Sequence, residues 1–136
     1  ARTLDFTDAG YASTYKIPQD EIEACFECLI GVSLADDGVD VTVVEIADGL
    51  LHSETAELVA SASFRSLVKH VVFAAGEAMG AVAGVEWLAR LGIKPVGISG
   101  LLTASELAIK EAQAVTGTRV LTKAMLESPS IMDLVS

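Results

Sequence analysis

The chain has 136 residues, 51% of them hydrophobic but only 5% aromatic, and a formal net charge of −10. That length suits one domain whose core is built of Ala, Val, Leu and Ile rather than rings. With 19 acidic side chains against 9 basic ones, it offers no basic stripe for a nucleic-acid backbone, and no apolar run reaches the roughly 18–20 residues of a membrane span.

No segment joins a basic start to an apolar stretch and a small-residue cleavage site, so a soluble, cytoplasmic protein is expected. The chain opens on Ala1 rather than Met, which points to processing or to a longer parent. Residues 1–17 read as a short strand near Thr3–Phe6 and then a polar loop carrying Thr7, Asp8, Ser13 and Thr14. Such a loop serves either a ligand or a plain connection. Pro18 suits a first helical turn, and Asp20, Glu21 and Glu23 suit its positive end. Ile22, Cys25, Phe26 and Leu29 follow at i, i+3, i+4 and i+7, the stripe of an amphipathic helix that ends before Asp36-Asp37-Gly38.

Cys25 and Cys28 form a C-x-x-C pair about two turns inside that helix. A redox pair would sit at the helix N-terminus, where the dipole lowers the thiol pKa. Zinc would need two more ligands, and only His52 and His70 are on offer. Core cysteines in a reducing compartment are the expected reading.

Val41, Val43, Val44 and Ile46 make a β-branched run of the kind found in a strand buried on both faces. It carries Glu45 near its end and opens into Ala47-Asp48-Gly49. Ligands of open parallel sheets sit beyond the carboxyl ends of strands. Glu45 and Asp48 are therefore candidates for holding a magnesium ion or orienting a water, against the plainer reading of two turn carboxylates.

Ser53 then caps a helix through Ala62 with Leu58 and Val59 inward. Residues 67–73 (LVKHVVF) read as a second buried strand, with His70 a satisfied strand histidine. A helix over Glu77–Leu91 brings Ala78, Gly80, Ala81, Ala83 and Gly84 for close approach to a sheet or to a partner, and stops at Gly92. Residues 94–98 are a third strand, and Thr103 with Glu106 makes a capping box for a helix to Val115. That helix start is either an anion site or capped by Thr103 itself, and the cap is the preferred reading. Residues 119–122 form a fourth strand, and Ser128-Pro129 begin a last turn of helix at 131–135. Four strand–helix units with short loops predict a single α/β domain over 1–136: three layers, a largely parallel, Rossmann-like sheet with helices on its faces.

The order of parts resembles a known family. Asp40-Val41-Thr42-Val43-Val44-Glu45 precedes Ala47-Asp48-Gly49-Leu50-Leu51, then Phe73-Ala74-Ala75-Gly76-Glu77-Ala78-Met79-Gly80. Trp87 to Ile93, Pro95-Val96-Gly97-Ile98-Ser99-Gly100 and Ala114 to Leu121 follow. Over residues 18–125 this succession resembles the C-terminal two-thirds of dethiobiotin synthetase and its relatives among the P-loop NTPases that make cobyrinic acid amides.

The resemblance implies a P-loop NTPase-like fold, magnesium and ATP (or another NTP) as cofactors, and a small-molecule substrate. It places Glu45 at the family's magnesium-associated acid, Asp8 near a further metal-side carboxylate, and Ser99 and Gly100 where the family reads the nucleotide base, usually with an Asn that is missing here. The chain also lacks a G-x-x-x-x-G-K-[ST] loop: Lys16, Lys69, Lys94, Lys110 and Lys123 all lie outside any such motif.

The expected function is thus the C-terminal part of a magnesium- and nucleotide-dependent ligase or NTPase, not competent alone. In the family the P-loop strand lies beside the acid-bearing strand. Its removal leaves 41–46 and 67–73 either separated by a gap or paired directly. The alternative is a non-catalytic α/β binding or regulatory module that acts as a homodimer.

Overall fold

The computed structural model describes residues 3–134. They divide between Leu67 and Val68 into two compact units, each with its own packing.

The first unit is helical. Helix α1 spans Gln19–Leu34 and buries Ile22, Cys25, Phe26 and Ile30, the stripe expected from the spacing except that Ile30 replaces Leu29 as the last buried position. Helix α2 spans Ser53–Ala60 and turns Thr55, Leu58 and Val59 inward. Its N-cap is His52, and no side chain caps it, so Ser53 is the first helical residue rather than the cap.

Helix α3, Ala62–Leu67, was not legible as hydrophobic periodicity. Ser61 starts it by accepting the Phe64 N–H at 3.0 Å, a side-chain cap of the kind that stabilises helix starts by about 1 kcal/mol. The Phe64 ring then stacks on Phe26 with centroids 5.9 Å apart, which locks α3 against α1. That helix takes up Leu67, so the strand expected from 67 begins five residues later.

The run from Val41 to Ile46 is not a strand. It forms no ladder among the described residues, and Val43 is 88% exposed, with Val41 at 45% and Val44 at 42%. β-branched side chains favour an extended backbone, but a strand needs neighbours to take its N–H and C=O groups. Among the described residues, a 2.8 Å hydrogen bond between the Thr42 and Ser33 hydroxyls ties this stretch to α1.

The second unit is the α/β part. Strand β1 (Val72–Ala74) pairs in parallel with β2 (Gly97–Ser99) in the register Val72–Gly97, Phe73–Ile98, Ala74–Ser99. Helix α4 (Ala78–Arg90) connects them. A third extended segment joins β2 at a parallel bridge between Ile98 and Val120. There the Ile98 N–H donates to the Arg119 carbonyl at 2.9 Å and the Leu121 N–H to the Ile98 carbonyl at 2.7 Å. Helix α5 (Glu106–Thr116) returns from β2 to that third segment and ends on Gly117 in the left-handed region, φ 65°. A 3-10 turn at Leu101–Ala104 precedes α5. The short helix α6 (Lys123–Leu126) and a 3-10 turn at Pro129–Leu134 follow the third segment.

Ala81, Ile98, Leu102, Ala112 and Val120 form the core of this unit. The parallel βαβ order agrees with an α/β fold. The sheet has two strands and one bridge among the described residues, narrower than the four-strand sheet expected of a three-layer fold.

The small residues of α4 have a definite use. A Cβ on Gly84 would run into the ring of Phe73 on β1, so glycine lets the helix ride directly over that ring. Ala81, one turn earlier, is wholly buried. Replacing Gly84 by Ala gains about 1 kcal/mol of helix propensity but forces the ring aside, at a cost of about 1–3 kcal/mol. Urea unfolding followed by fluorescence of Trp87, the sole tryptophan and a residue of α4, is expected to show Gly84→Ala as a net loss of stability.

Candidate functional site

The carboxyl ends of the second unit's parallel strands lead into three turns: Ala75-Gly76-Glu77, Ser99-Gly100, and Leu121-Thr122. The first two are knotted together by backbone. The Ala75 N–H donates to the Ser99 carbonyl at 2.9 Å, and the Leu102 N–H to the Ala75 carbonyl at 3.1 Å. Gly100 has φ 97°, and a Cβ there would lie 2.6 Å from the Ala75 oxygen and 2.8 Å from its nitrogen. Only glycine fits this crossing.

Ser99 is buried, and its hydroxyl donates to the Leu121 carbonyl at 2.7 Å. It therefore ties β2 to the third segment. The Gly100 carbonyl accepts both the Thr103 N–H at 3.1 Å and the Thr103 hydroxyl at 2.8 Å. Thr103 thus closes a 3-10 turn and is not the cap of α5. That cap is Ser105, which accepts from the Ala108 N–H at 3.3 Å. The cap is displaced by two residues because Gly100 captures the threonine first, and with Ala108 three residues on it is a lone cap rather than the expected box.

The start of α4 is capped by its own acid. The Glu77 carboxylate accepts the Met79 N–H at 2.9 Å and the Gly80 N–H as well. Thr122 likewise takes the Met125 N–H at the start of α6. The donors that make a helix start attractive to anions are thus partly engaged by local side chains along this edge. The loop 75–80, rich in small residues, carries a carboxylate where a phosphate cradle would present free N–H groups.

The expected metal-side acids lie in the first unit. Glu45 is exposed on the unpaired run, and Asp48 is exposed just before the turn closed by the His52 N–H to the Gly49 carbonyl at 3.0 Å. Asp8 sits in a succession of tight turns, where its carboxylate accepts the Asp5 N–H at 2.8 Å. Asp5 in turn accepts the Thr7 hydroxyl and N–H, and the hydroxyl bond, chiefly, holds its carboxyl below the usual range. Among the described residues no three His, Cys, Asp or Glu side chains gather as a metal set. Glu45 and Asp8 are therefore not part of a preformed three-ligand cluster. Ser99 and Gly100 belong to the other unit.

Cys25 is buried and Cys28 exposed, both as free thiols. Burial pushes the Cys25 thiol pKa up, and Cys28 adds a smaller push in the same direction. That is the opposite of an activated nucleophile. Core packing describes Cys25 well, whereas Cys28 stands outside the core.

One carboxylate that sequence spacing did not single out organises the first unit. Glu54 accepts the Ser53 hydroxyl at 2.7 Å and the Lys16 N–H at 2.7 Å, fastening the N-terminal loop to α2. Lys16 has φ 58°, unusual for a residue with a side chain, and Glu54 holds its N–H in that conformation. These bonds, led by the Ser53 hydroxyl, lower the Glu54 pKa from 4.5 to about 2.

No protein-family model, no curated protein and no solved structure matches the chain.

Two tests follow from these contacts. A depressed carboxylate pKa stabilises the fold above its unfolded value, so the Glu54 contribution is intact above pH 4.5 and fades as pH falls toward about 2. Carboxyl-carbon NMR is expected to find Glu54 titrating well below the other glutamates, and Ser53→Ala to move it upward. Ser99→Ala is expected to cost about 1–3 kcal/mol by stranding the buried Leu121 carbonyl, read by urea unfolding on Trp87 fluorescence.

Proposed function

We propose that this chain is the C-terminal part of a magnesium- and nucleotide-dependent P-loop enzyme resembling dethiobiotin synthetase, whose parent reaction is ATP-driven ligation or amidation, or nucleotide hydrolysis. The observation that carries the reading is the exposed run at Val41, Val43 and Val44. It has the composition of a two-sided buried strand and no ladder among the described residues. A sheet whose phosphate-loop strand lies elsewhere would leave its neighbour in this condition: apolar, exposed and unpaired. The parallel βαβ order of the second unit is a second support, since it is the repeating element of such folds.

In this reading Glu45 acts on the magnesium ion together with Asp8, and Asp48 lies near the substrate. Ser99 holds the turn that presents Gly100. The Gly100 N–H, which has no partner among the described residues, is the group an acceptor atom of a nucleotide base would meet. The triphosphate itself needs the backbone cradle and lysine of a G-x-x-x-x-G-K-[ST] loop, so this chain binds Mg-ATP weakly by itself. A homodimeric regulatory module is the second reading. It draws on Leu101, Leu107 and Val115, exposed at 81%, 66% and 68% in the second unit, which a partner copy would cover.

Isothermal titration of Mg-ATP into this chain, and into a protein extended with its native upstream residues, decides between them. Binding only by the extended protein, with Glu45→Gln lowering its turnover by about 10²-fold, is the expected result. An extended protein that binds no Mg-ATP, or one indifferent to Glu45→Gln, removes the nucleotide reading. Sedimentation as a concentration-dependent dimer would then favour the second.

A further inference from the structure

The parallel segments of the second unit also have amino ends, and a different set of side chains meets there. Lys94-Pro95-Val96 leads into β2, and Gly117-Thr118-Arg119 leads into the third segment. Together with Asp133 these two approaches line a shallow, largely open concavity of about 400 Å³. An adjoining hollow of about 220 Å³ shares Arg119 and Asp133 with it.

We propose that this concavity binds a tetrahedral oxyanion, the phosphate group of a small phosphorylated molecule or free phosphate, through Lys94, Thr118 and Arg119. The charge balance of the concavity favours an anion. The whole chain is at −10, yet this concavity sets two cations against a single acid. Neither cation is spent internally: among the described residues the ion pair is Lys123 with Glu127, and Lys94 and Arg119 have none.

Backbone and hydroxyl donors add to the charge. The ladder to β2 uses the Arg119 carbonyl, but the Arg119 N–H has no partner among the described residues. Thr118 is buried, and its N–H is held by the Thr116 hydroxyl at 3.1 Å, while its own hydroxyl has no partner among the described residues. Lys94, Thr118 and Arg119 all line the concavity, and the donors they carry (a guanidinium fork, an ammonium, an unspent amide N–H and a hydroxyl) match an oxyanion with several acceptor oxygens.

Asp133 tunes the site. Its carboxylate opposes any anion in the concavity, and a dianion more than a monoanion, so neutralising Asp133 tightens binding. Phosphate is favoured over acetate because its four oxygens can engage the guanidinium, the ammonium and the hydroxyl together, where a carboxylate offers two. The site lies at the opposite strand ends from the turns at Ser99 and Gly100, and it stands or falls independently of the nucleotide reading.

The test is a titration of inorganic phosphate into the full chain at constant ionic strength, followed by amide NMR, with chloride and acetate as comparison anions. Saturable shifts at Lys94, Gly117, Thr118 and Arg119 are expected. Arg119→Gln and Lys94→Gln should each weaken binding by about tenfold, and Asp133→Asn should strengthen it. Lys94, Arg119 and Asp133 are all exposed, so these variants keep the fold, which unchanged amide shifts outside the concavity would verify. Shifts that fail to saturate, that chloride or acetate reproduces at equal concentration, or that survive Arg119→Gln overturn the proposal.

Discussion

Ile98 is the residue on which the α/β unit depends. It is fully buried, sits in β2 opposite Phe73 of β1, and bonds on its other side to both Arg119 and Leu121. A central strand must satisfy neighbours on both edges while its side chain fills the core. The backbone of Ile98 serves the third segment, and the residues flanking it serve the β1 side, with Val96 donating to Val71 and Ala75 to Ser99. The flanking residues yield to it. Gly97 gives up a side chain because a Cβ there would collide with Leu121, and Ser99 spends its hydroxyl on the Leu121 carbonyl. The Val120 N–H, on the other edge of the third segment, is taken by the Gln113 side chain from α5 at 3.1 Å. The outer edge is thus partly closed by a helix side chain rather than by another strand.

The helices were legible in the sequence because their signals are local. The stripe Ile22, Cys25, Phe26 places α1 within a residue of its bounds, and Gly117 ends α5 because glycine tolerates the left-handed cap. Strands were less legible because their signal is not local. Val41 to Ile46 has the composition of a buried strand but finds no ladder among the described residues, whereas Val72 to Ala74 finds β2. The two runs look alike in composition, and only the partner distinguishes them. Caps fall between these cases. Thr103 and Ser105 both precede α5 with suitable side chains, and the choice went to Ser105 because Gly100, folded over Ala75, offers Thr103 a nearer carbonyl.

The candidate site residues divide along the same line. Gly100 was noted for its place in a motif, and its backbone crossing over Ala75 gives a physical reason for glycine there. The resemblance implies a base contact at Ser99, but the burial and bonding of its hydroxyl describe a structural tie. Such a tie depends on the register between β2 and the third segment, which residue spacing alone does not give. Glu54 has the local signature of one more acid in a helix start. Its importance comes from Lys16, 38 residues earlier, and a contact that distant leaves no trace in local spacing.

The two ends of the second unit's strands contrast chemically, and the contrast follows from the direction of the chain. At the carboxyl ends each segment turns into a helix, and each helix start is met by its own acceptor: Glu77, Ser105 or Thr122. An anion approaching there competes with groups already bonded to those N–H donors, and at α4 it also meets a negative charge. At the amino ends the chain arrives from helix C-termini, where carbonyls rather than N–H groups are exposed. Any affinity for anions must come from side chains there, and Lys94 and Arg119 supply it in a chain otherwise dominated by acids. An anion at the carboxyl edge would need a donor loop brought from outside these residues. At the amino edge the donors are already in this chain.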